Sequence, residues 1–269
     1  MIRPDYERYA EDLRIELADR VLRITLDNPD KLNANTDAMH WALSRIWDDI
    51  DADPDVAVVV LTGAGKRAFS AGGDPAQMKI ARDNPAWWAN TAREAKRILY
   101  GMLACDTPIV ARLNGHAVGF GATLALACDL GVGVQGAKFG DPHHGVGLVC
   151  GDGGALLWPD RIGYARAKEL LFTGRLIAME DAAEMGLINY AVPRDQLDAK
   201  VDELVGEITR GPSRAIQMTK NAMNLRLRQA ALATLEVGLA NEMISAQTGD
   251  HLEAVNAMLE KRDPTFSGG

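Results

Sequence analysis

Residues 56–61 read VAVVVL, an unbroken apolar run dominated by β-branched valine. A strand with no polar face must be covered on both sides, which is the situation of a strand inside a parallel sheet. The neighbouring segments agree with that constraint. Residues 21–26 (VLRITL) put Leu22, Ile24 and Leu26 on one face at a period of two. Residues 108–113 (PIVARL) and 130–134 (LGVGV) are further strand candidates. Between them, Ala92, Ala95, Ile98, Leu99, Met102 and Leu103 recur at helical spacing. Residues 123–128 (TLALAC) join two strand candidates and read as a buried helix, and the pattern at 165–174 stops at Gly174. Alternating strands and helices imply an α/β core with right-handed crossovers.

The pattern changes near residue 195. From Gln196 onward it is helical almost to the end, punctuated by Gly211-Pro212, with Pro suited to a first helical position. Asp250 and Glu253 have capping-box spacing before a last helix that Pro264 closes. The chain therefore divides into an α/β core at 1–195 and an all-helical C-terminal region at 196–269. With 269 residues, 47% apolar and 25% charged, it has ample material for a packed core. A net charge of −8 argues against nucleic acid or an anionic membrane as partner, since both are polyanions. Cys105, Cys128 and Cys150 form no CxxC pair and no zinc-ligand spacing, so they read as buried thiols of a reducing compartment. The N-terminal stretch is too charged for a signal peptide, and no apolar run approaches the roughly 18 residues that span a bilayer. A cytoplasmic protein is expected.

Four segments are dense in glycine: 62–65, 71–74, 114–121 and 145–154. Most follow a strand candidate, where glycine permits a sharp turn and close approach of a ligand to backbone N–H groups. Gly119-Phe120-Gly121 begins a dinucleotide-like pattern, but position 124 is Leu and Asp129 lies too near to serve a ribose. A different use fits better. One N–H from 69–74 (FSAGGD) and one from 114–122 (NGHAVGFGA) can converge on a single oxygen, helped by the N-terminus of the following helix. Such a two-amide oxyanion hole stabilises an enolate or a tetrahedral oxyanion.

Five stretches taken in order, LDNPDKLNA, VVVLTGAGKRAFSAGGD, NGHAVGFGATLALACD, AKFGDPHHGVGLVCGDGG and GLINYAVP, resemble the crotonase (enoyl-CoA hydratase/isomerase) superfamily across roughly residues 13–262. The resemblance implies a spiral of ββα units with a helical C-terminal region that packs homotrimers, often paired as hexamers. It implies acyl-CoA thioesters as substrates, with coenzyme A part of the substrate and no permanently bound cofactor. It assigns the hole to the amides of Gly73 and Phe120. It places coenzyme A along the first loops, near Lys31, Ala34, Arg67, Ala71, Gly72, Asp74 and Gly119, with Lys66 as a further cation. A lysine that many relatives carry after the first hole loop is absent, and Ala76 stands there.

The chain departs from the family at its chemistry. Hydratases of this family position water with two glutamates; here Thr123 and His143 occupy those places. Thr123 cannot be a base near neutral pH but can hold a water or a carbonyl. His143 can donate or accept a proton. Asp152 can orient His143, act alone or cap a helix. His144 points elsewhere on an extended chain, and two adjacent histidines make poor joint ligands, so no metal is expected. His116 is a pocket candidate, Glu180 and Asp181 look like helix-start residues, and Trp87 and Trp88 lie where family members differ and can wall the acyl site. The reading is an acyl-CoA enzyme that stabilises a thioester enolate. Open alternatives are a hydrolase, isomerase or decarboxylase working through His143 and Asp152, or a non-catalytic CoA-ester binding protein.

Overall fold

The computed structural model describes residues 4–74, 77–78 and 84–269; Ala76 lies outside them. Leu13–Ala18 (β1) and Val21–Leu26 (β2) pair antiparallel, and β2 buries Leu22, Ile24 and Leu26 as its period predicts. Two short helices follow, Asp37–Leu43 (α1) and Ile46–Ala52 (α2). The apolar run then enters Val58–Gly63 (β3), whose every residue is buried.

From β3 the chain repeats one manoeuvre. Ala68–Ser70 (β4) leads on to the helix Pro85–Ala104 (α3), which Asn84 caps at the Trp87 amide. Ile109–Leu113 (β5) and His116–Val118 (β6) are followed by Phe120–Ala127 (α4), a helix buried at every position. Leu130–Val134 (β7) and Lys138–Gly140 (β8) are followed, after a 3-10 turn at His143–Val146, by Gly154–Ile162 (α5). Each unit gives one strand to a large sheet and one to a small sheet. Tyr164–Thr173 (α6), Ile177–Ala178 (β9), Met179–Met185 (α7) and Tyr190–Val192 (β10) complete the core. The large sheet runs β1-β2-β3-β5-β7-β10, parallel beyond the first pair, and the small one β4-β6-β8-β9. This is the mixed α/β crotonase-like architecture that the sequence implied. Glu180 and Asp181 sit in the first turn of α7, as read.

The C-terminal region is helical throughout: Leu197–Arg210 (α8), Ser213–Ser245 (α9) and Gly249–Glu260 (α10). α8 packs against β3, β5 and β7, α9 against α3 and α5, and α10 against the turn that begins at His143. Three local expectations are corrected. Pro212 is the N-cap of α9 rather than its first residue. Thr248, not Asp250, caps α10, because its hydroxyl lies one position ahead of the helix and accepts from the His251 amide. Asp250 instead accepts from the amides of Ser267 and Gly268, and Glu253 pairs with Arg262. Cys105 and Cys128 are buried free thiols, whereas Cys150 is only partly buried. Among the described residues no helix is long and apolar enough to cross a membrane.

Candidate active site

Two glycine turns meet at the ends of β4 and β6. Gly72 has φ +81° and Gly119 has φ +58°, in the region where L side chains are strained. A Cβ on Gly72 would lie 2.8 Å from the Val118 carbonyl oxygen and 3.1 Å from the Phe120 amide nitrogen. The close approach therefore depends on glycine at 72. Gly73 and Phe120 both line the two cavities that meet there. Neither amide has a hydrogen-bond partner among the described residues. Phe120 also opens α4, so the helix dipole adds positive potential at its amide. Its ring stacks on His40, with centroids 5.0 Å apart, and so lies beside the site without filling it.

Beside these amides lies a buried array of titratable groups. His143 Nδ1 contacts Asp141 Oδ1 in a short hydrogen bond, and Nε2 stands 3.4 Å from Asp152 Oδ2. Burial pushes the imidazole pKa down, but the carboxylates of Asp141 and Asp152 more than reverse this and hold it well above the ordinary histidine value. The ring thus stands between two carboxylates that both favour its charged form. Thr123, buried on α4, donates its hydroxyl to Asp152 Oδ1 at 3.3 Å. Asp152 caps no helix: the N-cap of α5 is Gly153, without a side-chain bond. Of the roles left open for Asp152, the geometry therefore pairs it with His143. Three ligand-type atoms of Asp141, His143 and Asp152 lie within 4.8 Å of one another. Both ring nitrogens of His143 face these carboxylates.

Two cavities meet at this point. The outer cleft, about 580 Å³, is lined by Lys31, Ala34, Arg67, Ala71, Asp74 and Gly119 together with Gly73, Phe120 and His143. Gly72 is the turn behind it. Lys31 makes a 2.7 Å ion pair with Asp74, while Arg67 is exposed; Lys66 is exposed and is not part of the lining. The inner chamber, about 90 Å³, runs from Gly73, Phe120, His143 and Asp152 to Trp87 and Trp88. Residues of the C-terminal helices reach both: Glu242 lines the chamber and Met258 the cleft. His144 and His116 stay outside. His144 lies against Gly174 because residues 143–146 form a 3-10 turn rather than an extended strand, and His116 Nδ1 accepts from the Lys138 amide.

Asp141, Asn35, His40 and Glu242 were not singled out from the sequence. Asp141 carried a signal, standing two residues before His143 inside FGDP. Glu242 carried a fainter one: it continues the buried face of Ala231, Leu235 and Leu239 on α9, where an apolar residue is the rule. Burial first, and then the Asp152 carboxylate, push its pKa up to about 8, so it is a neutral acid at pH 7.

Comparison with known proteins places this geometry in context. Residues 16–269 match the family described as enoyl-CoA hydratase/isomerase. A probable enoyl-CoA hydratase of Rhodobacter capsulatus is 34% identical over 262 residues, 95% of this chain and 98% of the relative. The crystal structure of an enoyl-CoA hydratase/isomerase from Mycobacterium paratuberculosis superposes with a TM-score of 0.87 at 38% identity, covering 91% of this chain and 97% of that one. A β-diketone hydrolase from the cyanobacterium Anabaena, bound to (S)-3-oxocyclohexyl acetic acid, superposes with a TM-score of 0.83 at 27% identity, covering 92% and 98%.

Proposed function

Since the chain belongs to the enoyl-CoA hydratase/isomerase family, we propose that it transforms acyl-CoA thioesters by holding an enolate oxygen between the amides of Gly73 and Phe120 while His143 carries the proton. The observation that carries this reading is the His143 ring, set between Asp141 and Asp152 in the chamber that Gly73 and Phe120 also line. Two amides donating to one oxygen would lower the energy of a thioester enolate more than that of the neutral carbonyl, and so favour proton loss at the adjacent carbon. The Asp152 carboxylate would take the α-proton, the His143 imidazolium would give a proton back on either side of the enolate, and the proton on Asp152 would then pass to His143. Asp141 and Asp152 keep the ring charged until transfer, and Thr123 fixes Asp152 by its hydrogen bond. Thr123 and His143 stand where hydratases of the family have glutamates, so simple hydration loses its usual water-activating pair. The cleft past Arg67 and Lys31 would take the coenzyme A arm, the only cofactor part required, and the 90 Å³ chamber a short acyl group. The free cysteines suit a reducing, cytoplasmic setting, and the exposed apolar residues of α9 suit a homotrimer or hexamer.

A second reading is hydrolysis of a β-diketone, favoured by the histidine–carboxylate array and by the similarity to the Anabaena hydrolase. There Asp152 would take a proton from water as the water oxygen adds to one carbonyl, the carbon–carbon bond would break to give a carboxylic acid and an enolate, the enolate carbon would take the His143 proton, and the proton on Asp152 would return to His143. One set of measurements separates the readings: exchange of the α-protons of butyryl-CoA in D2O by NMR, beside loss of enoyl absorbance from short and longer trans-2-enoyl-CoA. Exchange that vanishes in His143→Ala supports the first reading. Cleavage of a cyclic β-diketone without exchange supports the second. A thermal shift with acyl-CoA but no turnover of any kind leaves a CoA-ester binding protein.

A further inference from the structure

The inner chamber has a thin wall where the first turns of α1 and α3 meet. Beyond that wall lies a surface groove of about 570 Å³, whose lining includes Tyr9, Ala38, Trp41, Ala42 and Asn90. Asp37 and Trp87 line both the chamber and the groove, and no other described residue does. These two residues are bonded to each other. The Trp87 indole N–H donates to Asp37 Oδ1 at 3.1 Å, with Oδ2 at 3.4 Å. Trp87 also meets Trp88 edge-on, with ring centroids 5.3 Å apart and planes at 87°, an arrangement that aromatic pairs favour. The indole thus has one defined resting place across the junction of the two spaces. Burial does not fix it there, since Asp37 is exposed and Trp87 half-buried. A hydrogen bond at such a place exchanges for bonds to water at little net cost. The indole can then turn about its side-chain torsions while the Asn84 cap holds the Trp87 amide. Toward the cavity of about 510 Å³ beside α6, by contrast, the chamber is closed by Leu148, which is buried in a cluster with Trp88 and Ala246.

We infer that Trp87, latched by Asp37, is the gate that sets how long an acyl group the chamber admits. With the latch closed, the chamber ends at the indole and holds a short acyl group. With the indole turned aside, the chamber runs on into the groove, where Ala38, Trp41 and Ala42 offer apolar surface to a longer chain. The inference rests on the acyl-CoA reading above and names the residues that decide the chain length of its substrate.

The test compares butyryl-CoA with decanoyl-CoA by calorimetric titration of the unaltered protein and of Trp87→Ala. Each further buried methylene is worth about four-fold in affinity. Decanoyl-CoA should therefore bind at least about ten-fold tighter to Trp87→Ala than to the unaltered protein, while butyryl-CoA changes by less than about three-fold. Trp87→Phe and Asp37→Leu each break the hydrogen bond but keep a bulky side chain, and should give a smaller gain of the same sign. Asp37→Asn, whose amide oxygen can still accept from the indole, should keep most of the original preference. Decanoyl-CoA binding equally to the unaltered protein and to Trp87→Ala overturns the gate while leaving the acyl-CoA reading in place. A gain confined to Trp87→Ala overturns the part assigned to Asp37. Should neither ester bind, butan-1-ol and decan-1-ol decide by saturation-transfer NMR. Decan-1-ol signals gained in Trp87→Ala, with butan-1-ol alike in both proteins, uphold the gate and retire the acyl-CoA reading. No such gain overturns the gate.

Discussion

At the scale of single residues the site is governed by where protons rest. Asp141 and Asp152 favour the charged form of His143 against its burial and raise its pKa well above the ordinary histidine value. Its folded pKa lies well above the unfolded value of 6.5, so its contribution to stability is full below pH 6.5 and is lost as pH rises through the folded pKa. Activity that uses the imidazolium follows the same limb. The alkaline fall of kcat/KM is expected well above pH 6.5, and Asp152→Asn, which removes one of the two carboxylates, should move it to lower pH. His143→Ala should lower kcat/KM by about 10²–10⁴ in the α-proton exchange assay, the usual size of a proton-transfer contribution. Glu242 gives the same sign over a lower pH range. Its carboxyl ionises near 4.5 when exposed and at about 8 in the folded chain, so between those values the folded state binds more protons and stability falls as pH rises. Glu242→Gln removes that dependence: its Tm should match the unaltered protein at pH 4.5 and exceed it at pH 8–9. An equal Tm difference at both pH values would show that the carboxyl is not buried as described.

At the scale of elements the site depends on how α9 meets the loop before α5. Gly238 on α9 lies directly on Gly151: a Cβ there would sit 2.8 Å from the Gly151 carbonyl oxygen and 3.0 Å from its Cα. Glu242 is one turn further along α9, and Asp152 is the neighbour of Gly151. Two effects compete in Gly238→Ala. Helix propensity gains about 1 kcal/mol, but backbone cannot move aside as a flexible side chain would, and overpacking costs about 1–3 kcal/mol. The net expectation is a lower Tm together with reduced α-proton exchange, as the two acids are pushed apart; an unchanged Tm with full exchange would mean the contact yields easily. This contact also shows what a sequence does and does not reveal. β3 was legible through the apolar run at 56–61 that fills most of it, and α4 because its apolar run joined two strands. β4, β6 and β8, three residues each, are too short for any period to show, and α1 and α2 are seven residues each. The turns at Gly72 and Gly119 were legible through their glycines, and the place of His143 beside them through the motif around it. The junction of Glu242 with Asp152 was not, because it exists only once α9 folds back on the core, and no local pattern records which turn of a 33-residue helix will do so.

At the scale of the whole molecule, an acidic chain displays apolar residues that its own fold leaves uncovered. On α9, Met218, Leu225 and Leu232 are exposed at seven-residue spacing, with Met223, Val237 and Ile244 exposed as well; on α6, Tyr164 and Phe172 are more than two-thirds exposed. A seven-residue repeat keeps side chains near one side of a helix, drifting by only about 20° per repeat. Single exposed apolar residues are ordinary, but a stripe along one helix is the mark of a surface that another chain covers. The most economical cover is a second copy of the same face, which supports the homotrimer or hexamer proposed above. Light scattering should then give three or six times the chain mass. The value should be insensitive to salt, because screening acts on exposed charges and not on buried apolar contact. Leu225→Lys combined with Leu232→Lys should lower the mass, and a monomeric unaltered protein would refute the proposal. The dissociated variant also carries a functional readout. The outer cleft and inner chamber are lined within one chain, down to Glu242 on α9 and Met258 on α10, so α-proton exchange should survive dissociation if α9 keeps its place. Loss of exchange in a monomer of unchanged Tm would mean that assembly completes the site from outside the chain.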